Sequence, residues 1–230
     1  MSKSLSKLFW NAAAGDNAAW YIATKFDSDN AEFFASGARE VDEFLRVGGV
    51  GLDGSARLLE IGCGVGRMTG RLAGLCGSVI AADVSSEMLA RAAVNLGGLP
   101  TVSFLELSGD GDLPLPDASV DAVFSYITMQ HVPTAAAQER YFAEAVRVVR
   151  PGGWVYMQFR RPGLRARALN WAGHVAHFLR GRKTLSRAWR GAQVAPSALV
   201  RAAGDRATVE LIPRGRHLWA LARVDCAESR

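Results

Sequence analysis

The stretch Leu58-Leu59-Glu60-Ile61-Gly62-Cys63-Gly64-Val65-Gly66 decides the fold of this chain. In it an apolar run ends in a carboxylate, and alternating glycines follow before a helical pattern begins. A second apolar run, Val79–Ala82, ends in Asp83, 23 residues after Glu60. This layout is typical of a nucleotide site at the carboxyl ends of two adjacent parallel strands. Asp83 can there accept hydrogen bonds from both ribose hydroxyls.

The residue types around the glycines favour an adenosine-like ligand that carries a cation and no phosphate. The spacing Gly62-x-Gly64-x-Gly66 differs from the dinucleotide fingerprint, because Thr69 stands where that fingerprint, counted from Gly64, has its last glycine. Glu60 lies just before the first glycine, where its charge opposes a pyrophosphate, and no Gly-Lys-Ser/Thr follows as in a P-loop. A sulfonium nucleoside fits, since its carboxylate can use the helix N-terminus and its cations tolerate nearby acids.

The composition is that of an ordinary globular protein. The 230 residues are 49% hydrophobic, which suits one domain with a well-buried core. No apolar run approaches the roughly 18 residues that a membrane span needs, and residues 1–20 lack the apolar centre of a signal peptide. The cysteines Cys63, Cys76 and Cys226 are odd in number and lack metal-ligand spacing. A reduced, cytoplasmic setting is therefore expected, with no metal.

The net charge of +5 hides an asymmetry between two parts of the chain. Residues 1–158 hold 12 Lys and Arg against 18 Asp and Glu, whereas residues 159–230 hold 15 against 4. The acidic part suits a cationic ligand. The basic part fits an acidic substrate, a membrane surface, nucleic acid or simply a solvated face, and the charge alone does not choose among them.

Strand and helix patterns alternate from residue 57 onward, which predicts a parallel sheet covered on both faces. Apolar spacings of three, four and seven residues predict a preceding helix from Asn30 to about Gly48. Pro151-Gly152-Gly153 is predicted as a turn. The predicted strands are Arg57–Ile61, Ser78–Asp83, Val102–Leu107, Val120–Ser125, Trp154–Phe159, Ala207–Ile212 and His217–Val224. The predicted helices are Arg67–Cys76, Ser86–Asn95, Ala135–Val149, 164–180 and Pro196–Ala203.

Five motifs in order make the chain similar to a known family. Leu58–Thr69 and Asp83–Leu89 are its first two motifs, and Gly109–Pro114 with Asp117–Asp121 form the third. Gln130–Pro133 and Arg147–Gly153 complete the series. The chain resembles a class I S-adenosylmethionine-dependent methyltransferase. The resemblance implies an α/β, Rossmann-like fold: a seven-stranded, mostly parallel sheet of order 3-2-1-4-5-7-6, with the last strand antiparallel and helices on both faces.

The same resemblance assigns residues to the cofactor, S-adenosylmethionine. The glycines would line its methionine part, Glu60 would orient the loop or the ammonium, and Asp83 would hold the ribose. Val84 and Met88 would pack on the adenine, although Met88 also fits a plain core position. The full set so implied is Glu60, Gly62, Cys63, Gly64, Gly66, Asp83, Val84, Met88, Asp110, Gly111 and Ser125. Asp110 and Gly111 would meet the adenine amino group, and Ser125 would approach both cofactor and substrate.

His131 and Tyr21 are the candidate catalytic residues. His131 lies just after the fourth strand, at the sheet edge expected to bear the ligand, and an imidazole is a common general base. The alternative, which the sequence alone favours, is that His131 braces the helix starting near Thr134. Tyr21 is expected to lie over the cofactor, or else only to pack in its aromatic-rich segment. Tyr126 is a weaker candidate.

The chain is expected to form a single methyltransferase domain. Its parts are a helical cap (1–50), the cofactor-binding core (51–159), a basic helical lid (160–205) and closing strands (206–230). An amphipathic pattern at 164–180 also fits a membrane-surface helix, which we disfavour because the segment lies inside the domain. His174 and His177, three apart, lack the further ligands that a metal site needs.

The expected reaction is transfer of a methyl group to a small-molecule acceptor, most simply at an oxygen or nitrogen in biosynthetic metabolism; the basic part of the chain would suit an acidic acceptor. Nucleic acid is not expected as a partner, because no stacking-aromatic RNA motif accompanies the basic charge. The alternatives are a methyltransferase acting on a membrane lipid or RNA, and a non-catalytic S-adenosylmethionine-binding module. A nicotinamide oxidoreductase would require the missing dinucleotide fingerprint. The acceptor and the oligomeric state do not follow from the sequence.

Overall fold

The computed structural model describes residues 3–23, 25–161 and 191–226. Within them, seven strands form one sheet in the order β3-β2-β1-β4-β5-β7-β6. The strands are β1 (Arg57–Ile61), β2 (Ser78–Asp83), β3 (Val102–Glu106), β4 (Val120–Ser125), β5 (Val149–Arg160), β6 (Ala207–Arg214) and β7 (His217–Val224). The helices are α1 (Lys3–Ile22), α2 (Ala31–Gly48), α3 (Thr69–Ala73), α4 (Ser86–Asn95), α5 (Ala135–Val148) and α6 (Pro196–Ala203), with a 3₁₀ turn at Met129–His131.

The predicted order 3-2-1-4-5-7-6 is confirmed. Strands β1 to β5 pair in parallel, and β7 runs antiparallel between β5 and β6. Because the parallel strands share one direction, their carboxyl ends meet at one edge, and the loops that leave this edge build the cleft described below. The helix predicted at Arg67–Cys76 is shorter, Thr69–Ala73, because Gly70 and Gly74 weaken helical propensity there.

The predicted turn at Pro151-Gly152-Gly153 lies inside a strand. Strand β5 begins at Val149 and continues through these residues, with an irregular register against β4 between Val120 and Ala122. Gly152 has a φ of 81°, which only glycine adopts at little cost. The left-handed conformation of Gly152, which is common in turns, therefore occurs here at a bulge between β4 and β5.

Two apolar layers cover the two faces of the sheet. On one face, α5 and α6 bury Phe142, Val146 and Leu199 in one apolar layer that also contains residues of β4 and β5. On the other face, α2 contributes Phe44, which packs near Trp219 of β7 with ring centroids 4.8 Å apart. Helix α6 falls within the segment predicted as a lid, yet its buried side chains belong to the cover of the sheet.

Helix α1 falls within the predicted helical cap, but the sequence patterns do not define its bounds. It bends at Asn17, whose φ of −152° is not helical and whose Oδ1 accepts from the Trp20 amide at 3.0 Å. Small side chains on α1, including Ala14 and Ala18, pack closely against Val65 and against Met88 of α4. The helix thereby lies across the carboxyl-end edge of the sheet.

Among the described residues, no helix is both long enough and apolar enough to cross a bilayer. The same residues hold no cluster of His, Cys, Asp and Glu suited to a metal ion. Most of the predicted basic lid, including the helix at 164–180 and the pair His174 and His177, lies outside the described residues.

Candidate active site

A cleft of about 980 Å³, counted with the space open to solvent, lies at the carboxyl ends of β1, β2 and β4. Helix α1 forms one wall, and the loops after the three strands form the floor and the opposite wall. The lining residues are Ser6, Trp10, Tyr21, Ile22, Glu60, Ile61, Gly62, Cys63, Gly64, Arg67, Met68, Asp83, Val84, Met88, Leu107, Gly109, Tyr126, Ile127, Thr128, His131, Val132, Pro133 and Tyr141.

The glycine loop is forced into its shape by its neighbours. The amides of Gly62 and Cys63 donate to the Ala82 carbonyl at 2.7 and 3.0 Å, so that the loop is tied to the end of β2. Gly62 has a φ of 82°, and a Cβ there would clash with the side chain of Thr128. The bare backbone at this point therefore lets the loops after β1 and β4 touch.

The Asp83 carboxylate joins the glycine loop to the start of α4. Its Oδ2 accepts from the Gly64 amide at 3.0 Å, and its Oδ1 accepts from the Ser85 amide at 2.9 Å. Burial raises the pKa of this carboxyl, and the amide bonds oppose that shift. Each oxygen keeps a further lone pair for a ligand in the cleft, as the predicted ribose contact requires.

Glu60 lies beneath the loop and is 4% exposed. Thr69 Oγ1 donates to its Oε2 at 2.6 Å. Burial raises the pKa of Glu60 to about 7, and the nearby Asp83 charge acts in the same direction. Two carboxylates that share a poorly hydrated floor disfavour an anion and favour a cation.

The expected cofactor residues divide into two groups. Those on the cleft surface are Glu60, Gly62, Cys63, Gly64, Asp83, Val84 and Met88. The cleft lining, taken over the described part of the chain, does not include Gly66, Asp110, Gly111 or Ser125.

The four residues that are not part of the lining have structural contacts. A Cβ on Gly66 would come within 3.1 Å of Leu96, and one on Gly111 within 2.8 Å of the Ala137 carbonyl. Asp110 Oδ1 accepts from the Asp112 amide at 3.2 Å. Ser125 Oγ donates to the Ile61 carbonyl at 2.8 Å and is fully buried. A contact of these residues with the ligand remains a prediction.

His131 and Tyr21 both lie on the cleft. The His131 imidazole meets the Trp10 indole edge-on, with centroids 5.2 Å apart, and its Nε2 lies 3.1 Å from the Gln130 amide nitrogen. The helix that follows is capped by Thr134, whose Oγ1 accepts from the Ala137 amide at 3.1 Å. Both roles considered for His131 remain predictions. Tyr21 Oη donates to Asp16 at 3.4 Å.

The loop after β4 is strained where it faces the cleft. Ile127 has a φ of 58°, a left-handed conformation that is rare for a β-branched residue. The preceding residue, Tyr126, is held in place because its ring stacks on Trp219 at an interplanar angle of 8°. Burial also raises the pKa of Tyr126 to about 12. Strain of this kind is concentrated at ligand sites, where the surrounding structure maintains it.

Several lining residues were missed by the sequence patterns. They come from α1, from the turn after the glycine loop and from the loop after β4: Ser6, Trp10, Ile22, Arg67, Met68, Ile127 and Thr128. The aromatic-rich composition of residues 1–30 was the signal for the first group. Residues 67 and 68 carried no separate signal, because they lie where the sequence reads as the start of a helix.

Comparisons with known proteins agree with this geometry. Residues 59–157 match the family model described as a methyltransferase domain. The ubiquinone biosynthesis O-methyltransferase of Burkholderia vietnamiensis is 32% identical over 101 residues, which cover 44% of this chain and 42% of that protein. The chain spans about 40% of the length of the curated relatives it matches.

Two solved structures extend the likeness over nearly the whole chain. The DhpI–SAM–HEP complex has a TM-score of 0.63 and 25% identity, covering 96% of this chain and 97% of that one. Magnesium protoporphyrin IX methyltransferase from Synechocystis with bound SAH has a TM-score of 0.67 and 16% identity, covering 97% and 100%. The sheet order, the glycine loop and these matches identify residues 59–157 as a class I S-adenosylmethionine-dependent methyltransferase domain.

Proposed function

We propose that this protein transfers a methyl group from S-adenosylmethionine to a small-molecule acceptor. The observation that carries the proposal is the acidic floor of the cleft, where Glu60 and Asp83 flank a glycine loop. The curated relative in Burkholderia, which is named as an O-methyltransferase of ubiquinone biosynthesis, supports a small organic acceptor.

The residues present fit the cofactor. The bare backbone of Gly62 and Gly64 lets Thr128 and Ile22, which also line the cleft, lie directly against the loop, since side chains at the two glycines would meet them. The Asp83 carboxylate faces the cleft and suits a diol, and the buried Glu60 suits a nearby ammonium. When bound, the cofactor supplies an electrophilic methyl group on a cationic sulfur.

This chain contributes binding, orientation and exclusion of water. Asp83 and the glycine loop position the nucleoside, while α1 covers the cleft with Trp10, Tyr21 and Ile22. Closing the cleft around both reactants converts a bimolecular displacement into an effectively unimolecular one, which supplies much of the rate. The apolar and aromatic walls favour an acceptor with a flat or apolar body.

His131 is the proposed general base for an oxygen or nitrogen nucleophile. It lies on the cleft lining, in the 3₁₀ turn that follows β4, and its edge contact with Trp10 orients the ring. Proton removal by a positioned imidazole contributes roughly 10²- to 10⁴-fold to such reactions. Tyr21, on α1, is the second polar group proposed to meet the acceptor.

The full chain, incubated with methyl-labelled S-adenosylmethionine and a panel of phenols, amines and carboxylic acids, tests the proposal. We expect a labelled product and stoichiometric S-adenosylhomocysteine with one class. Binding of the cofactor without transfer to any acceptor would favour the non-catalytic alternative. Calorimetry that detects NADH binding but no heat for S-adenosylmethionine or S-adenosylhomocysteine would overturn the assignment. Lipid vesicles and RNA in the panel test the two macromolecular alternatives.

A further inference from the structure

The 3₁₀ turn that carries His131 is bonded to a segment from a distant part of the chain. The Gly191 amide donates to the Gln130 carbonyl at 2.8 Å, and the Ala192 amide donates to the Val132 carbonyl at 3.0 Å. His131 lies between these two carbonyls in the sequence. Its backbone is therefore held on both sides by the segment that contains Gly191 and Ala192.

The two segments approach so closely that position 191 requires glycine. A Cβ on Gly191 would clash with the Val132 carbonyl oxygen and would lie 2.7 Å from the His131 carbonyl carbon. Because both atoms belong to the backbone, no rotation of a side chain could relieve these contacts. A displacement of this segment would therefore also move the turn that carries His131.

Gln138 of α5 joins the turn and the segment through one buried carboxamide. Its side chain is 1% exposed, and its Nε2 donates to the Val132 carbonyl at 3.2 Å and to the Ala192 carbonyl at 2.9 Å. A carboxamide nitrogen carries two hydrogens, so both are used. One accepting carbonyl belongs to the residue that follows His131, and the other belongs to the distant segment.

Helix α5 fixes Gln138 relative to the sheet. Phe142 and Val146 of this helix are buried in the apolar layer that also contains residues of β4 and β5. Over the described part of the chain, the cleft lining includes His131 and Val132 but not Gln138. The carboxamide therefore acts on the cleft through the Val132 backbone.

We propose that Gln138 is a positioning residue, which holds His131 at the cleft by bridging the Val132 and Ala192 carbonyls to α5. The inference rests on the proposed function, because it concerns the base proposed for methyl transfer. A displacement of about 1 Å at a reacting group can lower the rate roughly 100-fold. Loss of the bridge should therefore slow transfer and leave nucleoside binding intact.

Gln138→Met tests the proposal, because it removes both donors and nearly preserves the size of the side chain. The assay uses the phenol, amine or carboxylic acid that the wild-type chain methylates, and kcat should fall between about 10- and 100-fold. Affinity for S-adenosylhomocysteine, measured by calorimetry, should change less than about twofold. The imidazole Cε1 proton resonance of His131, assigned by its absence from His131→Asn, should shift in the ligand-free variant.

Val146→Ala is the matched control. Val146 lies on the same helix and is 2% exposed, but it does not belong to the cleft lining. The substitution leaves a cavity in the apolar layer, so it lowers stability without removing the bridge. We expect a lower melting temperature, with kcat and the His131 resonance unchanged.

Gln138→Asn gives a graded second variant. It keeps the carboxamide but is one methylene shorter, so it cannot reach both carbonyls at once, and its kcat should lie between those of the wild type and Gln138→Met. Circular dichroism and thermal melting establish that each variant folds. Should Gln138→Met not fold, Gln138→Asn decides.

The failures are distinguishable. A folded variant at position 138 that keeps the wild-type kcat overturns this inference alone. An equal fall in kcat for Val146→Ala, or a fall with an unmoved His131 resonance, shows a general structural role and also overturns it. Weaker binding of S-adenosylhomocysteine in parallel with kcat does the same. A wild-type chain that methylates no member of the panel overturns the proposed function and this inference together.

Discussion

The two sides of the cleft are built in different ways. The nucleotide side, defined as the loop after β1 and the end of β2, is held by short contacts within a few dozen residues, such as Asp83 to the Gly64 amide. The acceptor side, defined as α1 and the loop after β4, joins distant parts of the chain, as where Trp10 meets His131. Under the proposed function, a local motif would bind the cofactor, whereas side chains from distant parts of the chain would meet the acceptor.

Gly62→Ala changes the point where the loops after β1 and β4 touch. We expect it to have the largest effect on stability and on nucleoside binding. The new Cβ would clash with Thr128 and adopt a φ of 82°. Overpacking and left-handed strain together cost about 3 kcal/mol. A fall in the melting temperature of roughly 6–12 °C and loss of measurable S-adenosylhomocysteine binding are expected.

Gly97→Ala is the control for backbone strain without a clash. Gly97 has a φ of 59°, but a Cβ added there would meet nothing within 4 Å among the described residues beyond its chain neighbours. Its substitution should cost only about 1–2 kcal/mol and leave nucleoside affinity unchanged. Equal effects of the two variants would show that the loops after β1 and β4 do not press on each other.

Glu60→Gln tests the floor beneath both sides. The pKa of Glu60 is raised to about 7 in the folded protein, so the folded state binds its proton more tightly than the unfolded chain does. Its contribution to stability is full below about pH 4.5 and is lost as the pH rises through 7. The variant should therefore gain about 3 kcal/mol relative to the wild type between pH 4.5 and pH 8.

Urea unfolding across that pH range measures the difference. Parallel stability curves for the two proteins would mean that Glu60 is ionised throughout and that the floor is not poorly hydrated. The ligand-free proteins are compared, because a bound cation would lower the pKa of Glu60.

His131→Asn tests the acceptor side alone. With an acceptor from the panel, kcat should fall about 100-fold, at the lower end of general-base effects, because no imidazole accepts the proton. Affinity for S-adenosylhomocysteine should change less than about twofold. His217→Asn, at the start of β7 and outside the cleft lining, is the control. An unchanged kcat in the first variant would exclude His131 as the base.

Asp83→Asn tests the nucleotide side alone and should have the smallest effect of the four. Asparagine has one acceptor oxygen, so it cannot serve the Gly64 amide, the Ser85 amide and a ribose equally. We expect about 30-fold weaker binding of S-adenosylhomocysteine, consistent with loss of one charge-assisted bond. Asp53→Asn, an exposed carboxylate that accepts from Ser55, should leave binding unchanged; an equal loss there would point to instability.

Sequence patterns predicted the strands and helices well, because apolar runs and helix caps act over a few neighbouring residues. The bounds of β2, β4 and α4 agree with the alternation of apolar runs and with the Ser85 cap, whose side chain accepts from the Met88 amide at 3.1 Å. The strand order came from the family resemblance. The turn expected at Pro151–Gly153 was wrong, since the same residues also suit a bulge between paired strands.

The lining of the cleft was predictable only where its residues belong to motifs at the ends of predicted strands. Gly62 and Asp83 were expected on the cleft and line it, because each follows or ends a strand predicted from an apolar run; their cofactor roles stay predictions. Trp10 and Arg67 were not expected there, because their positions depend on packing against elements far away in the chain, such as the contact of Arg67 with Ser36 of α2. No periodicity records such a contact, which arises only when the tertiary fold forms.

Backbone hydrogen bonds hold the described residues on both sides of the gap at 162–190, namely Arg161 and Gly191. At the first, the Arg161 amide donates to the Arg216 carbonyl at 2.9 Å, and at the second, the Gly191 amide donates to the Gln130 carbonyl at 2.8 Å. A Cβ on Gly191 would clash with the Val132 carbonyl, so the second contact needs glycine. The second contact therefore returns the chain to the described fold directly beside His131.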